Sequence, residues 1–214
     1  MFTEAIFFNL ALQALLLSRQ IVDTNSDKSN EAKVLNQIYD IAFKSALFDM
    51  DLDSTASQSN LELVTDFTVL PPPVNGQPGP LWNYAYKYPS NCAFFRKVVS
   101  CNVIDDKSTH IPKRILIEDG KKMILTNEQY AIGEFIATDF PIQTLSAPAG
   151  MTIALRLALM GAPLIVGKGA KTLMNEIRQR YIDSKAEAQA LDSRESFSFQ
   201  HDSNLSEFVK ERMS

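Results

Sequence analysis

At 214 residues and 45% hydrophobic content, the chain is long enough to bury a core without disulfide or metal staples. Its 21 basic and 25 acidic residues leave a net charge of −4, and the basic residues are dispersed, which excludes the electrostatic footprint of a protein that grips a phosphate backbone. Two cysteines, Cys92 and Cys101, are too few for a disulfide scaffold and have no histidine pair beside them for zinc, in keeping with synthesis in a reducing compartment.

Residues 5–17 are apolar except for Asn9 and Gln13. Glu4 stands where a signal peptide would carry positive charge, no small-residue cleavage site follows, and the run is shorter than the roughly 18 residues a membrane span needs. The segment therefore reads as a buried helix with Thr3 as N-cap, Glu4 in the first turn, and Asn9 and Gln13 as one polar stripe. Residues 23–30 form a polar loop, and a second helix is predicted from Ser29 or Asn30 to about Phe48. Its predicted inner face carries Val34, Leu35, Ile38, Ile41, Ala42 and Ser45. Residues 49–60 are acidic and serine-rich, and read as a surface excursion.

From Leu61 the period becomes two, with Leu61, Leu63, Thr65, Phe67 and Val69 on one side of a predicted strand. Prolines 71, 72, 73, 78 and 80 then rule out regular structure and predict a stiff exposed loop. The Asp119-Gly120 pair between residues 114–118 and 121–126 predicts a two-residue hairpin, and residues 94–104 and 130–138 are further strand candidates. After Pro141, Thr144 or Ser146 caps a third helix with Pro148 in its first turn, which Gly161, Ala162 and Pro163 should stop. A fourth helix is predicted over residues 169–191. Leu173, Met174, Ile177, Tyr181 and Ala188 share its inner face, and Glu176 and Arg180 stand at ion-pair spacing. Residues 192–214 should leave the core as a tail with one short capped amphipathic turn or two from Asn204. The order of elements defines an α+β fold: a four-helix bundle of two N-terminal helices (1–60) and two C-terminal helices (141–191), with an antiparallel β sub-domain (61–140) inserted.

Several residue groups invite a chemical reading. Cys92 or Cys101 with His110 could pair nucleophile and base, but His110 sits in a polar loop with no third orienting group. Asp49, Asp51 and Asp53 alternate as in a calcium loop, yet lack its glycine and its bidentate glutamate. Gly161, Gly167 and Gly169 around Lys168 do not have phosphate-loop spacing and read as helix punctuation. Trp82, Tyr84, Tyr86 and Tyr88 alternate as base-stacking aromatics do, but Lys87 alone supplies no basic groove. Trp82, Tyr84 and Tyr86 are better read as anchors of the β layer. No cofactor, metal or catalytic residue is expected.

One ordered set of features resembles a known family. It comprises Ala11-Leu12-Gln13-Ala14-Leu15 in the first helix, Ala32 and Tyr39-Asp40 in the second, and a proline-rich loop. That loop leads into Trp82-Asn83-Tyr84-Ala85-Tyr86-Lys87-Tyr88-Pro89 with Cys92 close behind, then a hairpin, Tyr130 with Thr138-Asp139, and a closing helix pair. Over residues 5–195 this order is similar to the head-to-tail adaptors of short-tailed bacteriophages, also called tail tubular protein A. The chain departs from that pattern at Ser18-Arg19-Gln20, where the family often has a glycine, and at Asn91, where it has an acidic residue.

The resemblance implies a structural virion protein at the head–tail junction: a homo-oligomeric ring, by analogy a dodecamer, that binds the portal protein and the next tail protein. DNA would pass through its channel without specific binding, and no membrane is involved. It also implies portal contact through the C-terminal segment, where Phe197, Phe199, Leu205, Phe208 and Val209 offer apolar anchors. Head-to-tail ring contacts would use the polar helix faces together with the β block, with Arg178, Arg180 and Lys185 balancing acidic stretches such as residues 49–53. The alternatives are a neck or protein-binding adaptor that does not close into a ring, and a small cytosolic enzyme.

Overall fold

The computed structural model describes residues 2–64, 82–100, 111–118 and 120–211, with the backbone alone for Ser100 and residues 196–211. It is a mixed α and β protein in two units: Met1–Thr55 with Phe140–Ser214, which carries the four helices, and Ala56–Asp139, which carries two small antiparallel sheets. The β unit thus begins at Ala56, five residues before the predicted strand.

In the helical unit, α1 (Glu4–Ala14) is capped by Thr3, whose Oγ1 accepts the Ile6 N–H at 3.3 Å. Asn9 is more than a polar stripe. Its amide donates to the Ile21 carbonyl (2.8 Å) and accepts the Ile21 N–H (2.7 Å), pinning the chain that returns from the helix. The helix closes before the apolar run ends. The Leu16 N–H bonds Gln13 O and the Leu17 N–H bonds Leu12 O, a Schellman pair that puts Leu16 at φ +61°, a position usually held by glycine. Leu16 is 80% exposed there.

Helix α2 (Asn30–Met50) starts on Ser29, whose Oγ accepts the Ala32 N–H. Its buried face is Ala32, Leu35, Ala42, Phe43, Ala46, Leu47 and Met50, whereas Ile41 is exposed. The face is rotated from the predicted one by an aromatic cluster. Tyr39 lies against Phe7 and Phe8, and Phe43 stacks on Phe140 at 6.0 Å between centroids. Residues 49–60 are not a surface excursion. Asp49 lies inside α2, a 3₁₀ turn at Asp53–Thr55 buries Leu52 and Thr55, and β1 (Ala56–Asn60) follows.

Helix α3 (Ala147–Ile165) is capped by Ser146 and packs against α1, α2 and the last helix. It is long and apolar enough to cross a membrane by composition, and about half of it is buried within the unit. It does not stop at Gly161. That glycine faces Leu35 and Ile38, where a Cβ would come within 3.3 Å of Leu35 Cδ2, so its lack of a side chain serves close packing with α2. Pro163 lies inside the helix, in its last turn, where it gives up one i→i−4 hydrogen bond without ending the helix before Ile165.

After a 3₁₀ turn at Gly167–Gly169, helix α4 (Ala170–Glu211) buries Ile177, Tyr181 and Ala188, with Leu173 and Met174 half-buried. Among the described residues the ion pair predicted between Glu176 and Arg180 is absent. The helix does not end at Leu191: the backbone stays helical to Glu211, 42 residues in all, about 63 Å. Residues 192–211 hold neither glycine nor proline, so no residue there forces a break.

The β unit contains β1, β2 (Tyr84–Lys87), β3 (Cys92–Ser100), β4 (Lys113–Glu118), β5 (Lys121–Thr126) and β6 (Ala131–Ala137) in sheets ordered β1-β6-β3 and β2-β5-β4. The predicted hairpin is β4–β5, with Glu118 opposite Lys121 and Gly120 at φ +73°; Asp119 lies outside the described residues. Past β1, Leu61 still bonds Ala131. The chain then crosses to the second sheet, where Val64 N–H bonds Ala85 O and Lys87 N–H bonds Glu62 O. On another edge Val98 bridges Ile111. The two sheets are therefore stitched together at two places around a core of Leu61, Tyr86, Phe95, Val98, Ile124 and Phe135. The rest of the predicted 61–69 strand, including Thr65, Phe67 and Val69, and the proline loop 71–80 lie outside the described residues.

Candidate functional site

Among the described residues, two groups of side chains bear on a functional reading, one in each unit. In the helical unit they gather where α2 ends. The Tyr181 hydroxyl donates to Asp49 Oδ2 at 2.7 Å, and the Arg156 guanidinium reaches the same carboxylate at 3.7 Å while donating to Ser45 Oγ. Arg156 also lies 5.7 Å from the Tyr181 ring centroid, a cation–π placement, and its Nε is buried without a partner. Burial, reinforced by the hydrogen bond to Asp49 and its charge, pushes the Tyr181 phenol well above its ordinary value. Two further bonds from α4 follow: Gln189 Nε2 donates to Met50 O, and the Asp192 carboxylate accepts the N–H groups of Asp53 (2.6 Å) and Ser54 (3.0 Å).

Nothing in the periodicity singled out this cluster, but one signal was present: Arg156 is the only charged residue in the 19-residue apolar α3. A lone charge on a helix buried against three others needs a partner, and the end of α2 supplies it. The acidic stretch 49–53 is thus engaged within the chain, Asp49 by Tyr181 and Arg156. Arg178 and Arg180 are exposed and Lys185 is half-buried on α4.

In the β unit the aromatic run divides. Tyr86 is core, its hydroxyl shared between the carbonyls of Glu128 (2.8 Å) and Gln129 (2.5 Å), which fixes the turn before β6. Tyr84, with Asn60, Leu61, Leu63 and Tyr130, lines a cleft of about 510 Å³. Trp82 is half-buried, with its indole nitrogen shielded and unpartnered. Tyr88 takes a weak bond from the Cys92 thiol at 3.3 Å, and Lys122 Nζ stands 3.7 Å from its ring centroid. Lys87 pairs with Glu62 across the strand boundary.

The nucleophile–base pairing can be followed only at Cys92, because Cys101 and His110 lie outside the described residues. Burial pushes the Cys92 thiol up, away from the thiolate a nucleophile needs. Gly167 is punctuation, at φ +69° ahead of α4. Phe197, Phe199, Leu205, Phe208 and Val209 belong to the part of α4 described by backbone alone.

Comparison of the sequence with protein-family models and with curated proteins gave no match in either case.

Proposed function

We propose that the chain is the subunit of a ring-shaped adaptor that joins the portal of a short-tailed phage to its tail and continues the DNA channel. In this reading the four helices form a bundle that carries the β unit as an insertion, and the particles are virions. The observation that carries the reading is α4. It contributes Tyr181, Ala188, Gln189 and Asp192 to the helical unit and then continues as helix for 19 residues, about 28 Å. Helical register brings positions 197, 205, 208 and 209 within about 120° of one another, the arrangement of an apolar stripe suited to a groove on a partner. The ordered resemblance over residues 5–195 supplies the partner's identity: the portal on one side and the next tail protein on the other.

The test is negative-stain electron microscopy of the purified protein mixed with portal rings of the same phage. Portal rings lengthened by a symmetric tier support the reading, and a chain truncated after Glu195 should then fail to add the tier. Bare portals beside free protein would remove it. Ring closure is tested separately by charge reversal at Arg178 and Arg180, which should weaken the tier if those residues lie between subunits.

A further inference from the structure

Asp192 is used in a way the bundle does not require. It is a helical residue in the middle of α4, and its carboxylate caps the N–H groups of Asp53 and Ser54, the first two residues of the 3₁₀ turn that leads out of α2. Those donors open a short helical turn and have no partner within it. The carboxylate of a separate helix thus does for this turn what an N-cap side chain does locally. The β unit begins at Ala56, two residues beyond Ser54.

The contact follows two others along α4. Tyr181, Ala188 and Asp192 lie seven and then four residues apart, on one face of α4, and Gln189 sits beside them. Through that face α4 holds Asp49, then Met50, then Asp53 and Ser54, in chain order. Beyond Asp192 the same helix continues to Glu211.

We infer that α4 is a latch on the connection from α2 into the β unit. Asp192 closes it, and the helix beyond Asp192 determines how firmly it is closed. A carboxylate in the middle of a long helix is held in place by its neighbouring turns, whereas one in a fraying last turn is not. A partner that binds residues 196–211 as helix therefore tightens the connection, and by linkage a closed connection favours that binding. The inference does not depend on the adaptor reading, because it concerns contacts inside the chain and holds for any partner of the distal helix.

Hydrogen exchange read by mass spectrometry on the peptide covering residues 51–56 tests it. In Asp192→Ala the amides of Asp53 and Ser54 should exchange roughly tenfold faster than in the parent chain, the factor that corresponds to about 1.4 kcal/mol of lost protection. Amides of residues 174–184 should be unchanged, which shows that the helical unit is still folded. Asp192→Asn, which keeps one acceptor oxygen, should fall between the two and serves as the readout if the alanine variant does not fold. A chain ending at Glu195 leaves Asp192 in the last turn and should also exchange faster at residues 53 and 54, by at least roughly threefold. Unchanged exchange in both Asp192 variants would overturn the latch. Faster exchange in those variants with no change on truncation would overturn the dependence on the distal helix, and adaptor function could survive either result.

Discussion

Substitution of Tyr181 by Phe removes one hydrogen bond and little else. The ring is 7% exposed and packed, Phe fills the same volume, and Arg156 keeps its place over the ring and its contact with Asp49. A hydrogen bond to a charged acceptor is worth about 1.5–3 kcal/mol net. Asp49 keeps 29% of its side-chain surface exposed, so water can replace the lost donor, and the lower end of that range applies. The expected loss is about 1–1.5 kcal/mol at neutral pH. With a urea dependence near 2 kcal/mol/M, the helical transition followed at 222 nm should shift down by roughly 0.6 M. A cycle with Asp49→Asn should return a coupling of about 1 kcal/mol. The same variant predicts a pH effect. The Tyr181 phenol is raised in the folded chain above its unfolded value near 10. Its contribution is therefore fully present below about pH 10 and is lost as pH climbs through the folded value. Tyr181→Phe should lose less stability than the parent between neutral and strongly alkaline pH, while Tyr39, raised chiefly by burial, keeps part of the slope in both. A variant within about 0.3 kcal/mol of the parent at neutral pH, or a cycle that is simply additive, would refute the assignment of Tyr181 and Asp49 as a coupled pair.

Gly133 lies beneath Leu61 and Phe95, where a Cβ would stand 2.6 Å from Leu61 Cδ2 and 2.8 Å from Phe95 Cε2. Gly133→Ala should destabilise the β unit by about 1–3 kcal/mol, read from the emission of Trp82, the single tryptophan. Leu16→Gly should move stability the other way, by up to about 1 kcal/mol in urea unfolding, because the left-handed backbone strain it relieves exceeds the little burial an 80%-exposed leucine gives up. In a chain with Cys101→Ser, Cys92 should react with a thiol reagent at neutral pH well below the rate seen in denaturant, since burial raises its pKa and the thiolate is the reactive form.

Three helix starts were legible because a capping residue marks them: Thr3, Ser29 and, of the pair Thr144 and Ser146, Ser146 each accept an N–H from the first turn. The β4–β5 hairpin was legible for a similar reason, the positive φ at Gly120. Helix ends were not. Gly161 and Pro163 look like a stop, yet Gly161 is where α3 needs room for Leu35, and the burial gained there outweighs the local signal. The strand at Ala56–Asn60 was missed because Ala-Ser-Gln-Ser-Asn has no apolar alternation; pairing with β6, not side-chain pattern, makes it a strand. The Asp49–Arg156–Tyr181 cluster joins residues 107 and 132 positions away from Asp49, a proximity that periodicity within one helix cannot reveal. What remained readable was the lone charge of α3, which had to find a partner.

The division of the helical unit between the two ends of the chain sets an order of events during translation. The β unit is contiguous and has all its strands once Ala137 has left the ribosome, whereas α1 and α2 must wait for α3, the helix against which both pack. In that interval Phe7, Phe8, Leu12, Leu35 and Leu47 have no lasting apolar cover from the C-terminal half. A nascent chain in this state is a substrate for holding chaperones and a hazard at high expression. Slowing synthesis between Asp139 and Ile165 should lower soluble yield, while slowing it after α3 has emerged should not.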